Sequence, residues 1–256
     1  MAIALACASC SAFLDLGGLS EPPAAGDAST ATDGALDAGA DGQTSGLEAG
    51  PDGTLPLCKT FKTTRFCSDF DSVTLNELPL ETKNGTAAFD EISAVSAPRS
   101  LRLTTNATPT ESAHAAIDTE LGLAGPTTQL AFDIRIDEHA SDYTEIMMVR
   151  AAETNGDYCE TFLILNDSSD WILRSGCPGL AELPLGAIPL GQWTHIVFRI
   201  DAQTGSGSLQ LGPTTKTFRM SPSFALGKLR VVAGIYYAKA GSGRIQMALD
   251  NVVVSD

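Results

Sequence analysis

The chain has 256 residues, 31 of them acidic and 16 basic, with a formal net charge of −15. An acidic chain with scattered Lys and Arg has no electrostatic footprint for a phosphate backbone, so no nucleic acid partner is expected. Eight of the acidic residues and none of the basic ones precede Cys58, which leaves 23 acidic against 16 basic residues beyond it, a formal charge of −7.

Residues 1–19, MAIALACASCSAFLDLGGL, form the first segment. Their apolar run is too short to span a bilayer as a helix, which needs about 20 residues. It fits the end of a secretory signal. No Lys or Arg precedes it, so the expectation is a natural start further upstream or a trimmed sequence. Small residues before Cys7 and before Cys10 resemble a bacterial lipobox, in which the cysteine is acylated; an ordinary cleaved signal peptide is the alternative. Either way the chain is expected to be exported, then lipid-anchored at the outer membrane or secreted. The only membrane contact expected is through such an anchor.

Residues 20–56 are dominated by Gly, Ala, Asp, Ser, Thr and Pro, with no aromatic side chain. Such a composition cannot bury enough apolar surface to offset its ordering entropy. It reads as a self-repelling tether whose ~37 residues span roughly 30–35 Å on average. Asp-Ala-Gly tracts behind a lipobox resemble surface lipoproteins of Gram-negative soil bacteria such as myxobacteria.

Residues 57–256 read as one domain, about 200 residues, enough for a single large core. Short strands alternate with turn clusters and helical patterns are scarce. Strands are expected at residues 65–70, 86–92, 100–104, 113–121, 129–137, 143–151, 158–165, 171–175, 192–201, 208–211, 216–220, 228–238 and 244–254. That pattern predicts an antiparallel sandwich. Thr-Asn-Gly-Asp at 154–157 and Asn-Asp-Ser-Ser-Asp at 166–170 are hairpin turns.

Four cysteines fall in this domain. Cys159 and Cys177 flank a hairpin centred on Ser168 and would face one another across it. An even count in an exported chain reads as disulfides, Cys58–Cys67 and Cys159–Cys177. A metal site would need closer ligand clusters, and His114, His139 and His195 are dispersed.

The stretch from Gly191 to Gly212 is the most informative. Ile196, Phe198 and Ile200 alternate with polar residues, then Asp-Ala-Gln-Thr-Gly-Ser-Gly turns the chain into a returning strand. Gly191, Trp193 and His195, followed by Asp201, Thr204, Gly205 and Gly212, resemble the laminin-G/concanavalin A-like jelly-roll superfamily. The resemblance covers about residues 65–256. It implies an all-β, concanavalin A-like antiparallel β-sandwich (jelly roll) in which the first and last strands are neighbours. Trp193 and His195 match positions that are usually structural.

The resemblance also implies where chemistry sits. Several relatives hold a structural calcium where first and last strands meet, and Asp69, Asp71 and Asp250 match that layout. The plain alternative is outward strand residues and a turn cap. Phe70, between two aspartates, should point inward. Glucanases of the fold carry E-x-D-x-x-E on one strand. The nearest string here, Glu153 to Glu160, has a first gap one residue too long and crosses a turn. Glu145, Asp157 and Glu160 are therefore expected on a solvated rim. No G-x-S-x-G elbow is present. Sugar binding on such folds uses aromatic platforms, and Tyr143, Tyr158, Trp171, Tyr236 and Tyr237 are the candidates. Trp171 could equally be core, and alternation should turn only one of Tyr236 and Tyr237 outward.

The expected function is a non-catalytic cell-surface module for polysaccharide or another extracellular ligand, with calcium as its only cofactor. A glycan-cleaving hydrolase or lyase with an atypical site, and a structural envelope protein, are the alternatives.

Overall fold

The computed structural model describes Cys58 and residues 63–122, 127–140, 143–152, 158–166, 170–176, 181–187, 189–201, 203–219 and 228–256. The expected signal or lipobox with Cys7 and Cys10, the tether, Glu153, Asp157 and Cys177 lie outside the described residues.

Among the described residues fifteen strands are formed: β1 (Thr64–Ser68), β2 (Leu80–Lys83), β3 (Gly85–Asp90), β4 (Ser100–Ala107), β5 (Ala113–Gly122), β6 (Thr127–His139), β7 (Tyr143–Ala152), β8 (Tyr158–Asn166), β9 (Asp170–Ser175), β10 (Ala181–Ala187), β11 (Thr194–Asp201), β12 (Ser206–Leu211), β13 (Thr214–Arg219), β14 (Lys228–Ala238) and β15 (Gly243–Ser255). One sheet runs β13-β12-β11-β6-β15-β4-β3, with β1 also paired to β15; the other runs β10-β9-β8-β7-β14-β5-β2. Every pairing is antiparallel. This is the expected concanavalin A-like jelly-roll sandwich, with one core cluster between the sheets.

The Gly191–Gly212 hairpin forms as the alternation predicts. Ile196 pairs with Leu211 and Phe198 with Leu209, and all four side chains are buried in the core. Asp201 Oδ1 holds the turn by accepting the N–H groups of Gln203 and Thr204 at 2.9 and 3.0 Å. Pairing of β8 with β9 runs from Thr161 opposite Ser175 to Leu165 opposite Trp171, so that hairpin is centred on position 168 as expected. Cys58 and Cys67 are joined in a disulfide. Cys159 is buried and disulfide-bonded.

Two strands escaped the sequence pattern, β2 and β10. Both lie at edges of the seven-stranded sheet. Leu80–Lys83 is short and mostly exposed. Ala181–Ala187 contains Pro184 and Gly186, which an edge tolerates because one side of the strand needs no ladder partner.

β15 is the spine of its sheet. It pairs with β6 along one side and with β4, then β1, along the other. Ile245, Met247, Leu249, Val252 and Val254 all enter the core. The step of three between Leu249 and Val252 marks a bulge, where the β6 register shifts and Asn251 adopts φ 54°. The bulge turns Asp250 and Asn251 together onto the outer face. Segment 91–99 then ties down over Asp250, which is fully buried.

Candidate functional site: a groove across the seven-stranded sheet

Strands β5, β7, β8 and β14 place Ala113, Ala115, Val149, Leu163 and Val231 in the core, so the alternate residues face outward. A groove of about 580 Å³ opens on that face, lined by Tyr158, Tyr236 and Tyr237, by Arg150 and Arg230, and by Glu81, Asp118, Glu145, Glu160 and His114. Its apolar floor is Ala116, Met148 and Val232, with Phe162 and Tyr236 packed against it.

Backbone irregularity decides which side chains arrive. Both neighbours of β14 shift register between Ala233 and Ala238. Ile235 and Ala238 enter the core, and Tyr236 and Tyr237 both line the groove. The expectation that only one of these tyrosines would turn outward is thus corrected: a bulge puts two successive residues on one face. Gly234, with φ 124°, lies beside the bulge, and a Cβ there would meet Leu103 Cδ1 at 2.6 Å and the Ala115 carbonyl oxygen at 2.9 Å. β7 has its own irregularity between Glu145 and Met147, so Ile146 and Met147 are both buried while Glu145 faces the groove.

The charged groups are tied to one another. Arg150 Nε donates to Glu160 Oε1 at 2.7 Å, and its Nη2 reaches the same oxygen. The guanidinium also lies over the Tyr158 ring at 4.9 Å. Arg230 Nε donates to Asp118 Oδ1 at 2.8 Å, and its Nη2 closes a two-pronged pair on Oδ2. Beside the groove, Arg174 binds Glu182 through Nε at 2.8 Å and Nη2 at 2.7 Å, and donates from Nη1 to the Tyr143 hydroxyl at 2.8 Å. That hydroxyl donates to Glu145 Oε1 at 2.6 Å. Burial pushes the Glu145 carboxyl above the usual range, opposed by the Tyr143 hydrogen bond. Burial likewise raises the Tyr143 phenol. Tyr236 is raised by burial too, and shares the groove with Arg230, Arg150, Glu160 and Glu145. It stacks on Phe162 at 6.3 Å, and its hydroxyl has no hydrogen-bond partner among the described residues.

Of the five rings expected to bind ligand, the structure brings Tyr143, Tyr158, Tyr236 and Tyr237 to this face; Tyr143 and Tyr237 meet edge to face at 6.3 Å. Trp171 is corrected to a core residue, 1% exposed, because its position in β9 points between the sheets. Glu145 and Glu160 are corrected as well, from a solvated rim to the groove wall. Arg150, Arg230 and Asp118 were not singled out from the sequence, and His114 was weighed there only as a metal ligand. Their signal was there: polar residues at the outward positions of interior strands, where solvent exposure alone does not call for charged pairs.

The closure of the sandwich brings Asp69, Asp71 and Asp250 into one neighbourhood, with β1 paired to β15 as expected. Phe70 points inward and is fully buried. Asp250 accepts from Val95 N–H at 2.7 Å, Ser96 N–H at 2.9 Å, Ser96 Oγ at 3.0 Å and Asn251 N–H at 2.8 Å. The carbonyl oxygens of Phe70 and Val73 accept from Arg99 at 2.7 and 2.5 Å. Among the described residues no three His, Cys, Asp or Glu side chains gather as a metal-binding cluster. Protein donors thus take up the Asp250 carboxylate, whereas Asp69 and Asp71 accept one backbone N–H each, from Asp71 at 3.4 Å and from Arg99 at 3.3 Å.

His195 belongs to the other sheet, and Trp193 lies just ahead of its strand. His195 Nδ1 meets Asp133 Oδ1 at 2.8 Å, Asp133 Oδ2 accepts from Asn251 at 2.8 Å, and Arg135 lies 5.2 Å from the Trp193 ring. These contacts lock β6, β11 and β15 together.

No protein-family model matches the chain, and no curated protein matches it by sequence. Among solved structures it is similar to an endo-β-1,4-glucuronan lyase from the fungus Trichoderma reesei, with TM-score 0.57 and 15% identity over 75% of this chain and 95% of that one. It is similar also to the cellulose induced protein Cip1, with TM-score 0.54 and 14% identity over 74% and 96%. A carbohydrate esterase of the Shiga toxin-encoding bacteriophage phi24B gives TM-score 0.51 and 15% identity over 75% and 97%. At such identities the shared property is the jelly-roll fold.

Proposed function

We propose that the groove on the seven-stranded sheet binds a polysaccharide chain without cleaving it. The observation that carries this reading is the groove's aromatic and polar lining. Tyr158 (62% exposed) and Tyr237 offer ring faces for sugars, and the unshared Tyr236 hydroxyl waits in the floor to hydrogen-bond a hydroxyl of the chain. Binding without cleavage is supported by the state of the polar groups: Glu160 and Asp118 are occupied by arginines, and the half-buried Tyr236, whose phenol is raised by burial, is a donor rather than a base at neutral pH. Two of the fold's neighbours carry glycan-acting names, which agrees with this choice of ligand. The domain is taken to be exported and held on its tether by an acylated Cys7 or Cys10; palmitate labelling that survives replacement of both cysteines would contradict the anchor.

Glycan-array binding tests the groove. Tyr158→Ala with Tyr236→Ala should weaken the best ligand by at least about tenfold. Incubation with that ligand should release neither reducing ends nor unsaturated products.

One observation favours cleavage as a second reading. Glu145 is half-buried, its carboxyl is raised, and it feels the charge of Glu160, which is how an acid and a base are set apart. New reducing ends that disappear in Glu145→Gln would establish it.

A further inference from the structure

The charges in the groove restrict what can lie there. Its lining holds four carboxylates, Glu81, Asp118, Glu145 and Glu160, against two guanidiniums, Arg150 and Arg230, a formal excess of two negative charges. Arg174 and Glu182 beside it cancel one another. Each of the three arginines already carries a carboxylate at 2.7–2.8 Å from its Nε. An incoming uronate would have to share a guanidinium whose Nε is already taken by an internal carboxylate, and would be repelled by that carboxylate at close range. It would also meet the Glu145 carboxyl, whose hydrogen-bond donor is the Tyr143 phenol rather than a cation.

We infer that the groove takes a glycan free of carboxylate and sulfate groups, an uncharged or amine-bearing pyranose chain, and rejects polyuronates. This rests on the groove being the glycan site. The internal carboxylates act as a specificity filter: they fill the guanidinium positions that an acidic sugar would otherwise occupy. Hydroxyl-rich rings lose nothing to this filter, because they need ring faces and neutral partners such as Tyr236.

The test uses the full chain and length-matched oligosaccharides of three kinds: neutral β-glucans and xylans, amine-bearing chitosan, and glucuronan with alginate. Calorimetric titrations at low and at physiological salt should show a neutral or amine-bearing ligand binding at least about tenfold more tightly than either uronate. Glu160→Gln, its fold verified by melting, frees Arg150 and should raise uronate affinity by a similar factor, with the gain lost as salt is added. Wild-type protein that prefers glucuronan or alginate, with affinity falling as salt rises, would overturn the inference while leaving the groove as the site. A neutral ligand whose affinity is untouched by Tyr236→Ala and Tyr158→Ala, or no binding to any of the three kinds, would overturn the groove reading itself.

Discussion

Ser96 grips Asp250 twice, its backbone N–H reaching Oδ2 at 2.9 Å and its hydroxyl reaching Oδ1 at 3.0 Å, across 154 positions of sequence. With Val95 N–H on the same carboxylate, this contact fastens segment 91–99 over the bulge of β15. Asp250→Ala would leave those partly buried donors unanswered. The expected loss is about 2–4 kcal/mol, read from the shift in denaturant midpoint at unchanged slope. Asp250→Asn, which keeps the shape and one acceptor oxygen, should cost less.

Acid should at first stabilise this end of the domain. Burial pushes both Asp71 and Asp250 up to about 6 from 3.8, against hydrogen bonds from Arg99 and from Ser96 and Val95. A carboxyl raised in the folded state takes up its proton there before the unfolded chain does. The stabilisation it contributes is complete below about pH 4 and is lost as pH rises through about 6. The melting temperature should therefore climb between pH 7 and pH 5, and the climb should shrink in Asp71→Asn. A flat profile over that window would contradict the burial of the two carboxyls. Asp90 opposes this trend at lower pH: burial raises it, but the Ile92 N–H and the charges of Arg102 and Arg135 bring it below the usual range.

Calcium is expected to leave the fold unmoved. The carboxylate of Asp250 already has four protein donors, and Arg99 occupies the carbonyl oxygens of Phe70 and Val73. Melting curves in millimolar calcium and in chelator should coincide. A rise in melting temperature with calcium that vanishes in Asp250→Ala would show instead that the site rearranges around a cation, since a ligand stabilises only what it binds.

Truncation after Met247 removes the part of β15 that pairs with β1 and with the first half of β6, together with Leu249, Val252 and Val254 from the core. The shortened chain should lose cooperative unfolding and aggregate through the uncovered edges. A monomeric truncation with a sharp thermal transition would contradict the place of β15 at the centre of its sheet.

Period-two alternation in the sequence determined most of the strands, the Gly191–Gly212 hairpin and the hairpin centred on 168, because strand side chains alternate by geometry and only one face can be buried; Phe70 does turn inward, but beyond the end of β1 and with φ 64°, so tertiary structure decided it. Composition determined the acidic character that argues against nucleic acid. Tertiary structure decided the exceptions, two of which shape the candidate site. Bulges at Asp250–Asn251, at Glu145–Met147 and at Tyr236–Tyr237 each break the alternation, and a bulge is fixed by the neighbouring strand's register, which no local pattern carries. Trp171 went to the core and Glu145 and Glu160 to the groove for a related reason: position in a strand gives a side chain's parity, while only the packed second sheet decides which parity is inside. The pairs Arg150–Glu160 and Arg230–Asp118 were out of the sequence's reach because they join residues 10 and 112 positions apart, which cross-strand register alone makes neighbours.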